Sequence, residues 1–358
     1  MVSVSTFACA TALPRRALAQ CALAMALSLL AGAAVGAKNT PFGMELIPAH
    51  FPDSTNQDAI DALELSAQVG GHSSFVWHWS DRFAFDAIPS LVSGMRHAGL
   101  KSFIQIGAIF LNAPGPPDGY VKSFGDTQTR ILYLNDVAAI ARTKPDYMVF
   151  ATEINLLHRF NPAEFQKFRA LYSLAAMTVR SISPETKVGL SFLYSLWYFN
   201  YEIEKVDVPS MFWPLDFIAF TTYPEWLVRE GHYASIADIP PEFHGAARAA
   251  YPNARIVFSE VGWASKVQGT PEEQAEFVRN IPRMFSTARP ELVTWAVMHD
   301  MEFYNRSLLN EESTRFLESL GVDIDALFGH FNAMGLRDGY GNPKPAWFDA
   351  LGMEFPPP

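Results

Sequence analysis

The chain has 358 residues, carries 27 Lys and Arg against 37 Asp and Glu for a net charge of −10, and is 13% aromatic with 8 Trp. An acidic balance without basic clusters argues against a nucleic-acid partner and against docking on an anionic membrane. The length admits one large α/β barrel or two ordinary domains.

Residues 1–37 read as an export leader, not as structure. Arg15 and Arg16 give a positive start, residues 17–34 an apolar run, and Val35-Gly36-Ala37 a small-residue cleavage site, which makes Lys38 the expected mature start. The apolar part is short for a membrane span, which needs about 20 residues. The mature protein is therefore expected to be secreted or periplasmic, with no membrane attachment. Both cysteines, Cys9 and Cys21, fall inside the leader, so no disulfide is expected. Losing Arg15 and Arg16 leaves 25 basic and 37 acidic side chains, a net charge of −12.

From residue 38 to 358 a single pattern recurs: a short β-rich apolar run, a polar or Gly/Pro break, then a helical stretch. The runs are 42–48, 73–80, 102–108, 147–155, 187–194, 216–224, 255–263 and 293–300. Helix starts lie between them. Ser54 with Gln57 reads as a capping box, and Asn161-Pro162 and Thr270-Pro271 place a cap before a first-turn proline. Gly70 and Gly99 mark helix ends. In the helix over 163–182, Phe165, Phe168, Leu171, Leu174 and Ala175 form the expected apolar stripe. Eight strands alternating with helices predict one domain, a closed (β/α)8 TIM barrel. A doubly wound open sheet would want a Gly-rich turn after an early strand, and the first turn reads Ile47-Pro48-Ala49-His50. The stretch 301–335 is expected to cap the barrel mouth.

Chemistry in such a barrel sits at the C-terminal strand ends. The fourth and seventh runs each end in an acid within apolar sequence: Val149-Phe150-Ala151-Thr152-Glu153 and Val257-Phe258-Ser259-Glu260. A carboxylate closing a buried strand is costly to desolvate unless it has partners or a task. Two of them facing across the mouth, about 5–5.5 Å apart, suit double displacement at an anomeric carbon, one ionised carboxyl attacking and the other handling the proton.

These runs resemble clan A of the glycoside hydrolases, whose catalytic acids stand on strands four and seven. Ser259-Glu260-Val261-Gly262-Trp263 is similar to the nucleophile segment of the arabinogalactan endo-β-1,4-galactanases and the plant-type β-1,3-glucanases. The stretch 217–224 resembles the clan's sixth strand, where a Tyr, here Tyr223, hydrogen-bonds the nucleophile. Gly335-Leu336-Arg337-Asp338 with Pro343-Lys344-Pro345-Ala346 looks like the closing segment. The resemblance implies a retaining hydrolase of a β-linked poly- or oligosaccharide, with Glu260 as nucleophile and Glu153 as general acid/base. It departs at Thr152, where most members carry the Asn that binds the sugar 2-hydroxyl; Thr there is similar to the Gly-Thr-Glu of a smaller β-mannanase family. The clan's strand-two Arg is missing, with Arg82 just beyond as a substitute.

Further expected substrate contacts are Trp263 and Trp295 as a stacking floor, Trp77, Trp79 and Trp226 at neighbouring subsites, and His78, His299 and Asp300 on hydroxyls. Asn155 is expected to hold the acid or touch substrate, and Glu45 to be paired structurally within the barrel. No His-x-His or His-Glu-x-x-His is present, so neither metal nor other cofactor is expected. No Gly-x-Ser-x-Gly supports a serine nucleophile. The partner is a carbohydrate and the chain is expected to be a monomer. The rival readings are a transglycosylase and a non-catalytic carbohydrate-binding barrel.

Overall fold

The computed structural model describes residues 37–212, 214–301, 309 and 311–355. Residues 1–36 of the expected leader and part of the expected mouth cap lie outside them. Each apolar run forms one strand: β1 (Phe42–Glu45), β2 (His72–His78), β3 (Lys101–Gly107), β4 (Tyr147–Val149), β5 (Lys187–Leu193), β6 (Phe217–Thr222), β7 (Ile256–Val261) and β8 (Leu292–Trp295). All neighbours are parallel, and the ring closes because β1 pairs β8 directly, Phe42 opposite Val293. The protein is a (β/α)8 TIM barrel, and the open-sheet alternative fails on that pairing.

The strands are buried on both faces, which is why they read as continuous apolar runs rather than alternating ones. Their inward side chains near the strand starts, Phe103, Tyr147, Val149, Phe217, Ala219, Val257 and Leu292, pack into a plug separate from the core outside the barrel. A polar layer follows toward the mouth. Gln105 donates to Ser74 Oγ at 2.9 Å and to the Ser259 carbonyl at 3.3 Å, and Ser191 and Ser259 share a hydroxyl contact at 3.0 Å.

The returning helices are α1 (Asn56–Val69), α2 (Ile88–His97), α3 (Thr127–Arg142), α4 (Pro162–Ile182), α5 (Tyr194–Phe199), α6 (Pro241–Ala250), α7 (Pro271–Met284) and α8 (Pro345–Leu351). Caps form at α4, where Asn161 accepts from Glu164 N, and at α7, as a full box of Thr270 and Glu273. At α1 the box is one residue later than expected. Thr55 pairs with Asp58, whose carboxylate takes the Thr55 N–H at 2.7 Å, while Ser54 turns back to the Ala49 carbonyl. A charged acceptor at a helix N-terminus beats the neutral Gln57. Leu174 is 37% exposed and drops out of the α4 stripe, which runs through Phe165, Phe168, Leu171, Tyr172 and Ala175. Beyond β8, helices Glu311–Ser319 and Ile324–Asn332 form the described part of the expected cap.

Candidate active site

The seventh strand would not aim Glu260 inward by simple alternation, because Val257 already faces the plug and Ser259 shares its side. A register shift resolves this. Phe220 stands opposite Phe258, but Thr221 stands opposite Glu260. The extra residue turns Ser259 and Glu260 both toward the interior, the usual service of a bulge beside a site.

Glu153 is delivered differently. The ladder of β4 ends at Val149, earlier than the sequence run, yet Phe150 N still donates to the Gly189 carbonyl and Ser191 N to the Ala151 carbonyl. The backbone then turns sharply at Glu153, which has φ 49° and ψ 39°, and enters helix Ile154–Phe160. A non-glycine residue in that left-handed region stores about 1–2 kcal/mol of strain. Asn155 supplies the restraint. Its amide donates to the Leu193 carbonyl and accepts from Leu193 N, both at 2.9 Å, which clamps the turn to β5.

The end of β6 and the residue just after it hold both acids. Thr221 Oγ1 donates to Glu153 Oε1 and Tyr223 Oη donates to Glu260 Oε2, each at 2.6 Å. Residues two apart on a strand share a face about 7 Å apart, so these hydroxyls are neighbours and the two carboxyls converge on one strand end. Gly262 makes room: a Cβ there would stand 3.0 Å from the Tyr223 ring.

Glu153 is 8% exposed and Glu260 3%. Burial pushes the Glu153 carboxyl well above the usual range, the Glu260 charge pushes it further, and the Thr221 hydrogen bond opposes both. Burial raises Glu260 to about 7, with the Tyr223 hydrogen bond holding it down. Burial and the charges of Glu260, Glu153 and Glu45 keep Tyr223 a phenol. The two carboxyls thus differ in their surroundings: the Glu260 charge adds to the rise at Glu153, whereas the Tyr223 donor favours the charged form of Glu260. That is the division between a nucleophile and an acid.

Other expected contacts fall elsewhere. Trp77, Trp79, Trp263 and Trp295 are all 0% exposed. Trp77 donates to the Asp81 carbonyl at 2.7 Å, Trp79 to Asp136 at 2.9 Å and Trp295 to the Met334 carbonyl at 2.9 Å, while Trp263 stacks on Phe277 of α7. They are packing residues, and the expected stacking floor is corrected on that ground. Asn155 bonds the Leu193 backbone and so holds the turn that bears Glu153. Asp300 is paired with Lys344 at 2.6 Å. Arg82 forks onto Asp136 of α3, at 2.5 and 2.9 Å, and does not replace the missing strand-two Arg. His78 is buried. His299 donates Nδ1–H to the Ile47 carbonyl at 2.7 Å, burial lowers it to about 4, and its Nε2 has no partner among the described residues. Thr152 is buried directly before Glu153.

Trp226 does border a cleft. A cavity of about 530 Å³ runs beside the loops after β6 and β7, bounded by Tyr223, Trp226, Val267, Leu327, His330 and Phe331. Phe331 and His330 of the cap stand edge-on to Tyr223, with ring centres at 5.7 and 5.9 Å, so the cleft reaches the tyrosine that holds Glu260.

Sequence reasoning missed Thr221, although its spacing of two before Tyr223 was the available signal. It also misplaced Glu45, which has no cationic partner among the described residues and whose carboxyl is raised by burial and by Glu260. No group of three or more His, Cys, Asp or Glu that could hold a metal occurs among the described residues, and no helix among them is long and apolar enough to cross a membrane.

No protein-family model matches the sequence, and no curated protein does. Solved structures share the fold. A GH5_18 enzyme variant from Streptomyces cattleya, in complex with Manβ1-4GlcNAc, superposes with a TM-score of 0.64 at 15% identity, covering 87% of this chain and 79% of that one. The exo-β-1,4-mannosidase Op5Man5 from Opitutaceae bacterium strain TAV5 gives 0.64 at 14% identity, over 89% and 60%. The GH53 catalytic domain of Ignisphaera aggregans gives 0.54 at 12% identity, over 96% and 98%. The resemblance read from strands four, six and seven thus points to the same fold group as these glycoside hydrolases.

Proposed function

We propose that the protein is a retaining glycoside hydrolase acting on a β-linked poly- or oligosaccharide outside the cytoplasm. Glu260 attacks the anomeric carbon. Glu153 protonates the departing oxygen, then takes a proton from the water that releases the glycosyl-enzyme. The observation carrying this reading is the pair of buried acids held by the hydroxyls of Thr221, at the end of β6, and Tyr223, just after it.

Thr152 before the acid, and the two structural neighbours whose names carry a β-1,4-linked mannose, make β-mannosides the first substrates to try. The cleft bordered by Trp226 suits a further sugar ring. The leader-like residues support export. The test is Glu260→Gln assayed on mannan, galactan, glucan and xylan with product masses. Loss of turnover with the fold retained is expected. Turnover in that variant equal to the parent contradicts the assignment, and a parent that binds these glycans without cleaving them supports the binding-barrel rival.

A further inference from the structure

Glu45 is a third carboxyl at this site. On β1 the inward positions are set by register: Gly43 faces Thr294 across β8, and Glu45 faces Ser74 across β2, whose hydroxyl belongs to the interior polar layer. Glu45 is therefore inward, at the mouth end of its strand. It is 6% exposed and its Oε2 has no hydrogen-bond partner among the described residues. The backbone around it is fixed. Met298 N donates to the Glu45 carbonyl, and His299 Nδ1 to that of Ile47, so the segment after β8 grips both sides of the strand end.

A buried carboxyl without a cation or a donor costs several kcal/mol if ionised and about 1–3 kcal/mol if merely unpaired. Among the described residues, Glu260 on β7 carries like charge, and Tyr223, just after β6, gives its hydroxyl to Glu260. A group in that position is favoured as an uncharged acid by burial and by the Glu260 charge, and its Oε2 lacks a hydrogen-bond partner among the described residues. Register places Glu45 level with Glu260: Met44 stands opposite Trp295 of β8, and Trp295 stands opposite Val261, the residue after Glu260 on β7.

We infer that Glu45 is a specificity-determining contact of this site, meeting a hydroxyl of the reacting sugar through its carboxyl group. This rests on the glycosidase reading above. Its chemistry predicts an unusual order of variants, because a glutamine copies the donor and acceptor of a protonated acid whereas a methionine copies only its shape.

The experiment compares Glu45→Gln, Glu45→Met and the parent on a substrate the parent cleaves, together with glycosides deoxygenated one hydroxyl at a time. Glu45→Gln is expected to keep kcat/KM within about threefold, and Glu45→Met to lose about tenfold or more, the range of one hydrogen bond. The parent should reject one deoxy glycoside that Glu45→Met no longer distinguishes. Should Met fail to fold, Glu45→Ala gives the same comparison. Equal activity of Met and parent overturns the inference, as does equal loss in Gln and Met, which would require an anion. Uniform loss across every deoxy glycoside also overturns it, since that marks a structural role. The parent's first-formed product anomer separates this from the underlying reading: an α-anomer from a β-glycoside defeats double displacement itself, whereas a β-anomer with an indifferent Glu45 defeats only the present proposal.

Discussion

Tyr223→Phe removes one oxygen and leaves the ring that packs against Phe331. That oxygen donates to Glu260 Oε2 at 2.6 Å and favours the ionised carboxylate. Hydrogen bonds to charged groups contribute about 1.5–3 kcal/mol, and one pKa unit corresponds to about 1.36 kcal/mol. The Glu260 carboxyl, at about 7 in the parent, should therefore rise by about one to two units. Because the nucleophile must be ionised, kcat/KM rises with pH through that value, and its acid limb should move up by the same amount. Below the limb the variant should be slower by about ten- to a hundredfold, with a far smaller deficit on the plateau above it. The assay is kcat/KM from pH 5 to 10 on a glycoside with a good leaving group. An acid limb that stays in place, or moves down, refutes the argument that Tyr223 sets the ionisation of Glu260.

Thr221→Val removes the donor to Glu153 Oε1, which favours its charged form; the alkaline limb of kcat/KM should move to higher pH while the acid limb stays. Glu45, Glu153 and Glu260 are all raised on folding, so their contribution to stability is fully present below the unfolded carboxylate value of about 4.3 and is lost as pH rises through the folded values. Urea midpoints should therefore fall from pH 5 to pH 8, and Glu153→Gln should flatten that slope. Asn155→Ala strips partners from the buried Leu193 N–H and carbonyl, which should lower unfolding free energy by about 2–5 kcal/mol in a denaturant titration.

The barrel was legible because each strand is covered on both faces and each helix on one, so apolar runs and amphipathic stripes repeat in a fixed order. The acids were legible for the same reason: Glu153 and Glu260 interrupt apolar sequence. Glu45 interrupts β1 in the same way, and only the missing counter-charge in three dimensions separates it from an ordinary buried ion pair. The tryptophans misled because an indole's value as a stacking surface depends on which face is open. Trp79 and Trp295 hide both faces and anchor their N–H groups within the fold. The spacing before Tyr223 hinted that Thr221 faces inward, but its contact with Glu153 spans 68 residues and needs the left-handed turn at Glu153, just as the aim of Glu260 needs the bulge in β7. Neither feature has a composition signature.

The account turns on covalent attack by one named oxygen atom. Incubation with a 2-fluoro-β-glycoside carrying a good leaving group, followed by peptide mass analysis, reads it directly. A glycosyl adduct on the peptide bearing Glu260, absent from Glu260→Gln, is the predicted result; an adduct on another carboxyl, from a protein that turns over the parent glycoside, contradicts the account.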